Sequence, residues 1–120
     1  MSAKSEGEQG AVEASKPFEF AKLVEYGEGA VVSRTLAKGS AGTLTIFAFD
    51  KGQELSEHSA PFDAYVTVLD GEGLIIIAGN EIPVSAGTTV LMPANIPHAV
   101  KAPSQFKMLL IMLKNKPPEA

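Results

Sequence analysis

Cysteine is absent from the 120 residues, which removes disulfides, thiolate metal sites and cysteine nucleophiles together and leaves the redox compartment open. Long apolar runs are missing too. No stretch approaches the roughly 20 residues needed to cross a bilayer, and no basic segment followed by an apolar core opens the chain. A soluble, cytoplasmic protein with no membrane partner is therefore expected. Positive charge is sparse: the ten Lys and Arg residues are scattered from Lys4 to Lys116 in a chain of net charge −4. Without a basic stripe, nucleic acid is not an expected partner, and the mild acidity implies little beyond solubility. The chain also lacks a Ser-His-Asp order with a nucleophile elbow, a phosphate loop and a dinucleotide fingerprint. Nucleophilic hydrolysis and nucleotide chemistry are unsupported.

What is present is short, β-prone and regularly interrupted. Residues 1–16 are rich in Ser, Glu, Gly and Ala, with Val12 as their one large aliphatic side chain, and are expected to form a disordered tail. Residues 114–120 carry adjacent Pro117 and Pro118, which cannot donate to a strand ladder, and read as a C-terminal tail. The folded domain is expected over 17–113, a length suited to one core. Within it, apolar and often β-branched segments are separated by Gly or Pro about every ten residues, the pattern of a sandwich or barrel. The spacing predicts strands at 31–36, 43–49, 55–58, 65–69, 74–78, 89–92, 98–101 and 106–113, with a short one at 81–84. Turns are expected at 38–42, 50–52, 70–73, 79–80 and 85–87, and no helix.

Two of these strands are apolar on both faces, Leu74 to Ile77 and Met108 to Leu113. A strand with one wet face alternates, so something must cover the outer face as well. The segment 18–26, a second sheet or a partner subunit could do so, and a homodimer is the favoured expectation.

The residues from Gly52 through His58, Ala60 and Ala64 to Gly71, followed by Gly79, Pro83, Gly87, Met92, Pro93, Pro97 and His98, have the frame of two linked motifs. In this frame the sequence resembles the cupin superfamily over about half of the folded region. The resemblance implies an all-β, single-domain double-stranded β-helix, the jelly-roll barrel. It also implies a metal held by three His and one Glu, of which this chain keeps His58 and His98 and has alanine at 60 and 64. The glycines serve the barrel whatever it contains, so the fold is expected and the activity is not carried over with it.

The site expected from these residues centres on the two histidines, which should project into one cavity with ring nitrogens within about 5 Å, given metal–nitrogen bonds near 2.1 Å. Strand alternation puts Ser56 and Ala60 on the face of His58, with Glu57 and Ser59 opposed. Glu54 shares that face but lies about 13 Å away along the strand. Asp63, beyond the irregularity expected at Pro61, is the candidate for a displaced carboxylate. His58, His98 and Asp63 would make a two-imidazole, one-carboxylate site suited to Fe, Mn or Zn. His58 is also the candidate general base. Ser56, His58, Asp63, Met92 and His98 form the expected ligand pocket. The competing structural account makes His98 a strand-start ring bonded to backbone and His58 a core ring satisfied by Ser56. Three functions follow: a small-molecule binder with its metal ligands lost, a metal-dependent dioxygenase or isomerase, and a metal-free acid–base isomerase. Met92, Met108 and Met112 could line an apolar cavity, the phenylalanines read as core, and Lys107 as a solvated cation or a contact to an anion.

Overall fold

The computed structural model describes residues 12–114, so the tail expected at 1–16 is described only from Val12, and the one at 114–120 only at Lys114. Eight strands are present among the described residues: β1 Val31–Gly39, β2 Gly42–Phe49, β3 Glu54–His58, β4 Asp63–Ile77, β5 Asn80–Ser85, β6 Thr89–Met92, β7 His98–Lys101 and β8 Phe106–Leu113. All pair antiparallel in one curled sheet of order β1-β2-β8-β4-β7-β3, with β5 and β6 also paired to β4. The expected all-β jelly roll is what forms. The helical content among the described residues is a single 3-10 turn, Phe20–Leu23. No helix among the described residues is long and apolar enough to cross a membrane.

β4 organises the molecule. Its first half lies between β8 and β6, and its second half between β5 and β7. The turn expected at 70–73 is therefore corrected: the chain runs straight through as one strand of 15 residues that passes from one half of the sheet to the other. The glycines there permit close approach rather than chain reversal. Gly71 has φ 76°, and a Cβ on it would strike the carbonyl oxygen of Gln105. A Cβ on Gly73 would lie 2.5 Å from the Phe106 ring. The ladder with β8 shifts register between Val68 and Asp70, which bends the strand at the same place.

Alternation along each strand then builds two apolar layers. The inner layer draws Phe49, Ala64, Val66, Val68, Ile75, Val84, Met92, Val100, Phe106 and Met108 from both halves. The Phe49 and Phe106 rings stack within it at 4.8 Å. Each fully buried side chain of this size contributes about 1.5–3 kcal/mol. The outer layer is the second face of β2 and β8, where Val24, Phe20, Leu23 and Tyr26 pack over Ile46, Ala48 and Leu109. Hydrogen bonds fasten this N-terminal strap: Lys107 Nζ donates to the Ala21 carbonyl (2.6 Å), Arg34 Nη1 to the Leu23 carbonyl (3.2 Å) and Tyr26 Oη to Asp70 (2.5 Å). Burial, then the bond to Asp70 and its charge, push the Tyr26 phenol well above its ordinary pKa. Lys107, which also lies over the Tyr26 ring, is thus a strap contact.

Part of the doubly apolar surface is accordingly covered within the chain, by segment 18–26. The rest is not. Tyr65 (39%), Leu91 (43%) and Leu113 (40%) remain exposed on the same face.

Candidate functional site

The two histidines end up as cross-strand neighbours. His58 closes β3 and pairs with His98, which opens β7 after Pro97. Their ring centroids are 4.5 Å apart, at an interplanar angle of 70°. His98 is buried, at 8% exposure, because β7 is flanked by β4 and β3, whereas His58 sits exposed on the edge strand.

How His58 reaches that position corrects the alternation expected along β3. Leu55 pairs with Val100 and packs against the core, so the next inward residue by simple alternation would be Glu57. A register shift between Leu55 and His58 inserts one extra residue and returns His58 to the inner face. Ser56 is consequently exposed in a cleft shared with Glu54, Ile76, Ala99 and Lys101, away from the imidazole pair. Its contribution to His58 is its main-chain carbonyl rather than its hydroxyl.

Both rings are held in the same way. His58 Nδ1 lies 3.1 Å from the Ser56 carbonyl oxygen, and His98 Nδ1 lies 3.2 Å from that of Ile96. A carbonyl oxygen can only accept, so each Nδ1 donates its proton, and Nε2 is the ring nitrogen left without a protein partner. Burial, reinforced by the nearby His58, lowers the pKa of His98 despite the opposing bond to Ile96. His98 is thereby biased toward its neutral form. The expected bond from His98 to backbone is present, but it fixes a tautomer and leaves the other nitrogen available.

Asp63 does not join them as a third ligand. It begins β4, and its Oδ1 accepts from the Ala94 amide at 2.9 Å. Among the described residues no group of three His, Cys, Asp or Glu side chains stands where it could hold a metal ion. Ala64 is buried on the inner face of β4 opposite Met92 and Met112, and Ala60 offers its carbonyl to the Asn95 amide at 2.7 Å. Met92 is a core side chain, 3% exposed.

A model of the cupin domain matches residues 45–113, more than half of the chain. This chain belongs to the cupin family. Among solved structures, this cupin is similar to a conserved protein of unknown function from Streptococcus pyogenes, at 38% identity over 90% of this chain and 95% of that one, with a TM-score of 0.84. A cupin 2 conserved barrel domain protein from Leptotrichia buccalis is 48% identical over 78% of this chain (TM-score 0.77), and the match spans 46% of that longer protein. A cupin superfamily protein from Desulfitobacterium hafniense matches at 28% identity over 90% of this chain and 99% of its own, with a TM-score of 0.83. No curated protein matches the chain.

The sequence pointed to a backbone partner for His98, but not to the Ser56 carbonyl on His58 or to the ties that hold the 93–97 loop at this cupin's site. The carbonyls of Ser56 and Ile96 orient the rings, and the 93–97 loop is tied down by Asp63, Ala60 and the Ala78 amide, which donates to the Pro97 carbonyl at 2.9 Å. A signal existed in Pro93-Ala94-Asn95-Ile96-Pro97, where Asn between two prolines suits a tight loop. Asn95 does adopt φ 66°.

Proposed function

We propose that this cupin binds a small polar molecule at the paired imidazoles of His58 and His98, without a resident metal ion. The observation carrying this reading is the shared orientation of the rings, with each Nδ1 committed to a carbonyl and each Nε2 free. Two imidazoles with the Nε2 side uncommitted and rings 4.5 Å apart suit a ligand that donates hydrogen bonds, from hydroxyl or N–H groups. A Nδ1–H bonded to a carbonyl is also how metal-ligating histidines are held. Two imidazoles, however, supply half of a tetrahedral shell. With alanine at 60 and 64 and Asp63 engaged elsewhere, the donor set falls short of what a resident Fe, Mn or Zn ion requires.

A metal-free acid–base isomerase is the second reading, favoured by the exposed position of His58 beside a neutral His98. A base needs an accessible lone pair, and His58 Nε2 has one.

The experiment is a small-molecule library screened by NMR on protein labelled at its imidazole nitrogens, with metal content measured after chelator-free, tag-free purification. A compound that shifts both Nε2 signals, and loses affinity in both His58→Ala and His98→Ala, supports the reading. Stoichiometric metal, or no compound moving both signals, overturns it. Deuterium incorporation from D₂O into the bound compound, lost in His58→Ala, would establish the isomerase.

The proposal extends to a homodimer through the uncovered outer face. Leu44 and Ile111, partly buried against the strap cluster, and the exposed Tyr65 and Leu91 form one row across β2, β8, β4 and β6, each pair in direct register. A second copy presents the same row, as a two-fold contact requires.

A further inference from the structure

We propose that Asp63 is a positioning residue: its carboxylate docks the 93–97 loop against the 59–62 connection and so sets the tautomer and placement of His98. The inference deepens the reading of the histidine pair as a binding site, and rests on it.

The geometry is a closed circuit of short contacts. The 93–97 loop joins β6 to β7 and ends at His98, while residues 59–62 join β3 to β4 and begin after His58. The loop has prolines at both ends, so its own amides are those of Ala94, Asn95 and Ile96. Two of these reach across to the other connection. Ala94 donates to Asp63 Oδ1 at 2.9 Å, and Asn95 donates to the Ala60 carbonyl at 2.7 Å. At its far end the loop is tied by the Ala78 amide to the Pro97 carbonyl at 2.9 Å. Between these anchors lies Ile96, whose carbonyl accepts from His98 Nδ1 at 3.2 Å. The segments following His58 and preceding His98 are therefore bound together by Asp63 and Ala60, in addition to the strand pairing of the histidines themselves.

Of these anchors Asp63 is the one side chain, and the one carrying a charge. A carboxylate accepting from an amide is stronger than a neutral pair. Without it, the Ala94 amide is left to solvent and the loop keeps a single tie near its start. The Ile96 carbonyl, then held only through the Asn95 and Pro97 ties, is less firmly directed, and the preference of His98 for its proton on Nδ1 weakens with it. Asp63 is thus separated from the ligand by one loop. It acts through His98.

The test uses the full chain with imidazole nitrogens labelled. Three variants are compared with the parent: Asp63→Ala, Asp63→Ser, whose hydroxyl is one atom too short to reach the amide, and Asp63→Asn, whose amide oxygen still accepts. In Ala or Ser, exchange of the Ala94 amide is expected to rise about tenfold. The His98 nitrogen shifts should move from the pure Nδ1–H pattern toward a mixture of tautomers, while His58 stays unchanged. Asp63→Asn should restore both readouts. The Ser variant serves if Ala does not fold. Faster Ala94 exchange with His98 unmoved would overturn the proposal, because the clamp would then be lost without consequence for the ring. Equal movement of His98 in Asp63→Asn would overturn it as well. These readouts involve no ligand, so a failed library screen refutes the binding site while leaving the positioning role measurable.

Discussion

Replacing the two histidines separately tests whether they form a site or a piece of core, and the structure predicts unequal costs. His98→Ala removes a buried ring with its bond to the Ile96 carbonyl. The lost hydrogen bond is worth about 1 kcal/mol, and the void left by a half-polar ring adds about another 1 kcal/mol after partial collapse. The sum, about 2 kcal/mol, would lower the urea midpoint by roughly 1 M at an m-value of about 2 kcal/mol/M. His58→Ala removes an exposed ring on an edge strand, where substitutions cost about 0.5 kcal/mol. The edge-on ring contact couples the two by less than about 1 kcal/mol in a double-mutant cycle. The assay is urea denaturation at pH 8, followed by fluorescence of an added dye or by circular dichroism. Affinity for a compound found by the NMR screen should fall in both variants to a similar degree, out of proportion to their stabilities. A loss above about 4 kcal/mol for either, or equal costs for both, would refute the reasoning and make the pair a packing element.

Other outcomes follow from the same geometry. Because burial lowers the folded pKa of His98 from 6.5, the unfolded chain takes up its proton first. This residue's contribution is whole above pH 6.5, falls as the pH drops below that value, and levels off under the folded pKa. The slope should reach at most about 1.4 kcal/mol per pH unit and vanish in His98→Gln, as read from urea midpoints between pH 8 and pH 5. Gly73→Ala puts a methyl group against a Phe106 ring that is fully buried and stacked on Phe49. It should cost about 1–3 kcal/mol, with part recovered by adding Phe106→Leu; an unchanged melting temperature would show that the ring yields. Leu91→Asp, at an exposed position in the apolar row, should convert a dimer to a monomer in light scattering with little change in stability. A parent protein that is already monomeric at micromolar concentration would remove the dimer from consideration.

Much of the strand plan was legible because it depends on local chemistry. Strands β6, β7 and β8 fall at the expected residues, since each is a short apolar run bounded by Gly or Pro. The hairpin between β4 and β5 turns at Ala78 and Gly79, both at positive φ, within one residue of the expected position. The miss at 70–73 has a physical reason. Two glycines among polar residues signal a turn when seen alone, but here they accommodate the Phe106 ring of β8 and the carbonyl of Gln105 just before it, contacts made by residues more than 30 positions away.

The site divides along the same line. Its two histidines, and the alanines in place of further ligands, are matters of residue identity and could be read from the chain alone. So could the all-β class, because alternation and turn residues are local properties. Which face each residue occupies was decided by the tertiary structure. Ser56 faces out beside the inward Leu55, and one inserted residue before His58 turned that ring back in, because a strand's side chains alternate with period two and any bulge inverts everything beyond it. The role of Asp63 was decided in the same way. A carboxylate takes the nearest donor that the fold supplies, and the fold supplied the amide of Ala94, which lies 31 positions along the chain.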